Sequence, residues 1–325
     1  MEKLYPLKLS CVLKSPIWSG EKLKNGWGKH SDSPIGESWE LSVRKNENSV
    51  VENGSLSGRT LASIIDEYGP RITAGAFTSK DFPLLVKLID AGDDLSVQVH
   101  PNDDYAARVE ADRGKTEMWY IVEADEGARI VFGLGDGATK EELSKALTSD
   151  EPERLYSALR YIPVKADETY FIPAGLPHAI GKGILIAEIQ QNCDLTYRVY
   201  DYGRLGLDGK PRELHVKKAL DVIRDFEPQE IEAIRFSRKN DEAKCGTLLA
   251  DCEFFRVLKL DIDGTLTLKN DGKMLHLLVL GGNGAILHGS LEYPLERGSS
   301  YLLPAELSDI TLRGSFSAVL SSPNL

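Results

Sequence analysis

Residues Glu168 to Ile180 read ETYFIPAGLPHAI: an apolar run, a turn carrying Pro173, Gly175 and Pro177, and a histidine opening the next apolar run. Proline and glycine at that density end one strand and begin another within a few residues, the mark of a β fold with tight connections. An imidazole between two apolar strands is costly to desolvate unless something uses it. His178 therefore needs partners, and the neighbouring strands are the place to look for them.

Working outward, strands are expected at PLLVKLID, LSVQVH, EMWYIVEA, ARIVFG, TYFIPA and ILIAEIQ. Helical spacing puts Leu61, Ile64, Ile65 and Tyr68 on one face, and Val216, Ala219, Leu220 and Ile223 on another. Thr139 with Glu142 and Asp150 with Glu153 have the spacing of capping boxes that open two further helices. The charged run 224–244 reads as a connector, and beyond about Gly246 short strands are expected almost throughout. This predicts a mainly β chain with inserted helices.

Two stretches suggest an internal repeat. Tyr120 to Gly133 resembles Leu277 to Gly289, aligned on Gly127 and Gly284, and YFIPAGLPH from Tyr170 resembles YLLPAELSD from Tyr301. A duplicated barrel or jelly roll would produce such echoes. The second copy puts Met274 where Glu117 stands and Asp309 where His178 stands, so only the first copy is equipped for a metal.

Strand alternation sorts the polar residues. Ser96, Gln98 and His100 share one face of their strand, opposite Val97 and Val99. That face is either solvent or an enclosed polar cavity. Glu117, Trp119 and Ile121 share a face, with Lys115 in the same alternation; Glu188 and Gln190 follow Ile184 and Ile186. Glu188 and Lys87 interrupt apolar runs, where an unpartnered charge would cost several kcal/mol, so each is expected to meet a counter-charge or a ligand. Gln98, His100, Glu117 and His178 form a candidate ligand set: two imidazoles, a carboxylate and an amide oxygen suit a divalent ion.

The pattern from Pro173 through Gly175 to His178 looks like the second motif of the cupin superfamily. With LSVQVHPND, GKTEMWYIV and LTYRVYDYGR it resembles type I mannose-6-phosphate isomerase in its short bacterial and archaeal form. SPIWSG and PIGESWELS extend the resemblance from near the N-terminus to about residue 225. The resemblance implies two cupin-type jelly-roll barrels, a metal-binding domain at 1–230 and a degenerate cupin-like domain at 231–325. It implies one zinc ion per chain, held by Gln98, His100, Glu117 and His178. It also implies catalytic roles for Arg198, Lys115 and Glu188, and substrate binding by Lys87 and Ser96. The expected reaction interconverts mannose 6-phosphate and fructose 6-phosphate through an enediol. An iron-dependent cupin oxygenase and a non-enzymatic sugar-binding cupin are the alternatives, since two histidines and a carboxylate also suit iron.

Composition is that of a soluble globular protein. A chain of 325 residues with 27% charged and 42% hydrophobic residues is an ordinary globular protein. The net charge of −11 argues against nucleic acid or membrane as a partner and leaves a locally basic pocket for a sugar phosphate open. Four scattered cysteines, Cys11, Cys193, Cys245 and Cys252, are expected as free thiols of a cytoplasmic protein, monomeric or weakly self-associating.

Overall fold

The computed structural model describes residues 3–149, 152–235, 239–241 and 246–324. All six expected strands form. A six-stranded sheet runs in the order Thr169–Ile172, Glu117–Ala124, Ile184–Gln191, Leu84–Asp90, Glu37–Leu41 and Val12–Lys14. A five-stranded sheet runs Leu159–Pro163, Arg129–Leu134, His178–Ile180, Val97–Val99 and Tyr197–Tyr200. Both are antiparallel throughout, and each has one face turned to a shared core.

That inner core contains Trp119, Ile121, Phe132, Tyr170, Ile172, Ile180, Ile184 and Ile186, drawn from both sheets. The outward residues go elsewhere. Val97, Val99, Ala179, Tyr197 and Val199 back the five-stranded sheet against Leu143, Leu155, Ala219 and Ile223 of the helical segments. Met118, Tyr120, Leu185, Ala187 and Ile189 back the six-stranded sheet against the rest of the molecule. The period-2 pattern in the sequence thus separates an inside from an outside on every strand of the site.

The helices follow their caps. Thr60 caps Leu61–Tyr68, whose Leu61, Ile64 and Ile65 are buried. Thr139 and Glu142 complete a reciprocal capping box on Lys140–Leu147. The Asp150 cap lies outside the described residues, as does Cys245; Cys11, Cys193 and Cys252 are free. The supposed connector contains a helix, Pro228–Arg235, and its Ile231 is buried against the inner core of the sandwich. Across the run 224–244 charged residues outnumber apolar ones, which masks the amphipathic pattern of this one helix.

Beyond Gly246 the described residues are almost all strand, as expected, but only half of the six strands are short; the other three are long. Phe255–Lys269 and Asp309–Pro323 have 15 residues each, and Leu275–His288 has 14. Several glycines lie within these paired strands, Gly264 and Gly284 both opposite Gly314. Gly314 has φ 144°, and a Cβ there would stand 2.4 Å from the Asn283 carbonyl oxygen, so only glycine lets the strands close up at this point. Leu260 and Leu268, like Leu312 and Leu320, join one core from opposite sides of these glycines. The repeat is half right. Tyr170–His178 and Tyr301–Asp309 both run strand, turn, strand, with matching Leu176 N–H to Pro173 and Leu307 N–H to Pro304 hydrogen bonds. Gly127 sits in a turn between strands whereas Gly284 sits within one, so that alignment fails.

The two β units are sewn together. Leu7–Lys8 pairs with Ser300–Leu303 at the edge of the C-terminal sheet. Nearby, the buried Lys29 ammonium holds both oxygens of the fully buried Glu40, at 2.8 and 2.9 Å, and also donates to the Gly298 carbonyl. Ser38 donates to Glu40 at 2.6 Å, and Ser300 donates to the Glu40 backbone carbonyl at 2.7 Å. Removing one member of such a pair strands the other charge. Lys29→Met should lower unfolding stability in urea by about 3–5 kcal/mol, and adding Glu40→Met should restore much of it.

Candidate active site

Cross-strand register assembles the site. On the six-stranded sheet, Trp119 lies opposite Glu188, Glu188 opposite Lys87, and Lys87 opposite Trp39, a row spanning four strands. Glu117 lies two residues before Trp119, so its side chain leaves the same inner face. On the facing sheet, Gln98 lies between His178 and Arg198. The valines and tyrosine flanking these three belong to the outer core, so Gln98, His178 and Arg198 point inward.

His178 owes its place to the turn before it. Gly175 has φ 89°, its N–H donates to the His100 carbonyl, and a Cβ there would press on the Val222 carbonyl at 2.9 Å. The turn therefore fastens His178 to the segment that carries His100. Both imidazoles are buried and point Nε2 inward: Nδ1 of His178 stands 2.8 Å from the Leu176 carbonyl, and Nδ1 of His100 stands 2.8 Å from that of Leu195. Carbonyls only accept, so each Nδ1 carries the proton and each Nε2 a lone pair. Burial lowers His178 to about 4 and, with Lys115 and His178 beside it, holds His100 well below the usual range, so both are neutral at neutral pH.

Those two Nε2 atoms are 3.1 Å apart, and Glu117 stands over them with Oε1 at 3.5 Å from His178 and Oε2 at 3.6 Å from His100. Two lone pairs and a carboxylate converging on one point repel unless a cation lies among them. Two imidazoles on a tetrahedral zinc ion stand about 3.3 Å apart, close to this spacing. Glu117 Oε2 is buried and lacks an aligned hydrogen bond, although Lys115 Nζ is 3.0 Å away. His100, Glu117 and His178 thus form a group whose donor atoms fit a divalent metal, and Gln98 adjoins His178 on the next strand.

The charges around this group are balanced in pairs. Burial works against the Lys115 cation, but Glu117 and then Glu188 outweigh it and keep its pKa above normal. Burial first and Glu117 second raise the Glu188 carboxyl, while Lys115 and Lys87 oppose them. Lys87 meets the counter-charge that its apolar strand requires, and it does so within the protein: Glu37, Glu188 and Asp194 stand 3.5, 3.6 and 3.6 Å from its Nζ. Glu37 and Asp194 were not anticipated as its partners; Asp194 comes from the loop before Arg198, and no periodicity links it to Lys87. Ser96 is buried just ahead of the Val97–Val99 strand. Arg198 pairs with neither Asp194 nor Asp201 in these contacts. Its Nη1 donates to the Glu213 carbonyl at 2.8 Å and its buried Nε has no hydrogen-bond partner, while Arg204 and Arg212 hold Asp201.

Comparison with known proteins settles the lineage. Residues 7–128 match the catalytic domain of type I phosphomannose isomerase, and residues 244–323 match the mannose-6-phosphate isomerase cupin domain. The chain is 38% identical to mannose-6-phosphate isomerase ManA of Bacillus subtilis over 97% of its own length and 98% of the relative's. The chain belongs to the type I mannose-6-phosphate isomerase family. Within that family it is also 38% identical to the mannose-6-phosphate isomerase of Streptococcus mutans, over 98% of each chain. The crystal structure of the Bacillus subtilis mannose 6-phosphate isomerase superposes with a TM-score of 0.89 at 34% identity, covering 98% of this chain and 99% of that one.

If the imidazole is a ligand, His178→Ala should lose bound metal and activity together. The protein should remain folded, since both β cores are built from apolar residues elsewhere. Elemental analysis beside circular dichroism checks this; full metal content in the variant would remove His178 from the ligand set.

Proposed function

We propose that this protein interconverts mannose 6-phosphate and fructose 6-phosphate, using one zinc ion held by Gln98, His100, Glu117 and His178. The observation that carries the reading is the 3.1 Å approach of two lone-pair nitrogens under a buried carboxylate, in a chain of this family. Two imidazoles, a carboxylate and an amide are donors that zinc accepts, and the lysines and arginine beside them suit an anionic substrate rather than the oxygen chemistry of an iron site. The ligands lie in the 1–230 portion, and the 231–325 portion is read as a cupin-like domain without them.

Aldose–ketose isomerisation moves a proton between neighbouring carbons through an enediol, and negative charge builds on oxygen as it does so. A bound divalent ion supplies Lewis acidity towards that oxygen. Glu188 is the group suited to carry the proton, because burial and Glu117 lift its carboxyl above the ordinary range. Lys115 holds the Glu117 carboxylate and lends positive charge on the same face. Arg198, on the opposite sheet, adds a fixed guanidinium with an unpartnered N–H for the developing oxyanion. Ser96 and Lys87 are assigned to substrate binding, Lys87 through the field of a charge shared with its three carboxylates.

A coupled assay tests the reading. Mannose 6-phosphate should turn over, activity should fall on chelation, and zinc should restore it; unchanged turnover after complete metal removal would overturn the metal-dependent mechanism. Arg198→Ala should lower kcat by about 10²–10³-fold with a smaller change in KM, because the interaction grows with charge in the transition state. Arg198→Lys should recover only part of the loss, since an ammonium lacks the planar fork.

A further inference from the structure

Trp119 has no part in the chemistry assigned above, yet it occupies the centre of the site. It is fully buried on the inner face of its strand, two residues beyond Glu117 and directly across from Glu188. Its indole Nε1 lies 3.0 Å from Glu117 Oε1 and 3.0 Å from Glu188 Oε2. One N–H is thus shared by two carboxylates from neighbouring strands. Each carboxylate presents its other oxygen to a lysine, Glu117 to Lys115 at 3.0 Å and Glu188 to Lys87 at 3.6 Å. The same ring meets His178 edge to face, with centroids 5.4 Å apart at 77°. Phenylalanine would fill most of this space equally well, so the indole nitrogen is the feature that needs explaining.

Two buried carboxylates repel, and lysine ammonium groups on flexible stems do not by themselves fix where each oxygen points. A donor on a rigid, packed ring does. We propose that Trp119 is a positioning residue: its single N–H fixes the metal-ligand carboxylate Glu117 and the proton-carrying carboxylate Glu188 relative to each other. This rests on the roles proposed above for those two residues. Outer-shell hydrogen bonds of this kind orient a ligating group, and their loss typically weakens metal affinity or activity by about 10–100-fold.

The test uses the intact enzyme with Trp119→Phe, and 3-benzothienyl-alanine in place of Trp119 as an isostere that keeps ring size and lacks the N–H. Zinc affinity, measured by competition with a chelator, should weaken by about 10–100-fold in both. On the zinc-saturated enzymes, kcat for mannose 6-phosphate should fall by a similar factor while KM changes less than about threefold. In a Glu188→Gln background Trp119→Phe should cost little further kcat but still weaken zinc, because the Glu117 contact is intact there. Wild-type zinc affinity and kcat in the isostere would overturn the proposal, as would a full additional loss of kcat in the Glu188→Gln background. Should Trp119→Phe fail to fold, the isostere alone decides. Should the wild-type protein not turn over mannose 6-phosphate, the proposed function falls, and the zinc measurement still decides whether Trp119 orients Glu117.

Discussion

The structure turns on how charge is kept inside an apolar sandwich. Glu117 and Glu188 are buried between two sheets, where an uncompensated carboxylate costs several kcal/mol. Lys115 and Lys87 balance them, and the two imidazoles stay neutral because burial disfavours their charged forms. Glu117, Glu188, Glu37 and Asp194 set four negative charges against the three positive ones of Lys115, Lys87 and Arg198, so a divalent ion would take the group from −1 to +1. On a protein whose net charge is −11, that would leave a locally cationic site between the two sheets, suited to an anionic sugar phosphate. The same balance explains why Lys87 has three acidic neighbours: the ammonium is part of the interior's charge pattern and is not a loose cation.

The fold makes this possible by spending its backbone hydrogen bonds in antiparallel ladders. Side chains on every second position are then free to face the space between the sheets. Helices cover the outer face of the five-stranded sheet, and the long-stranded C-terminal sheet shares a core with the outer face of the six-stranded one. The site thus sits on rigid strands backed on both sides, with the Lys29–Glu40 pair and the Leu7–Lys8 strand fastening the backing in place. Such backing is what holds several side chains from different strands to within a fraction of an ångström.

Much of this was legible in the sequence because alternation is a local property. His100, Glu117, Glu188 and Gln98 could each be put on a face from neighbours two residues away, and the Pro173–Gly175–Pro177 turn marked His178 directly. What was hidden depended on register or on long-range packing. No local pattern shows that Asp194 stands by Lys87, or that Trp119 lies across from Glu188. Glycine is needed both for turns and for close approach of paired strands, so the role of Gly264, Gly284 and Gly314 is visible only in the pairing. Ile231 looked like part of a charged connector because a single helix turn meets the core there.

The most direct test of the central claim is anomalous diffraction from crystals of this protein grown with zinc, recorded above and below the zinc absorption edge. The account predicts one strong peak per chain, between the Nε2 atoms of His100 and His178 and beside the Glu117 carboxylate. No peak there, or a comparable peak within residues 231–325, would contradict it.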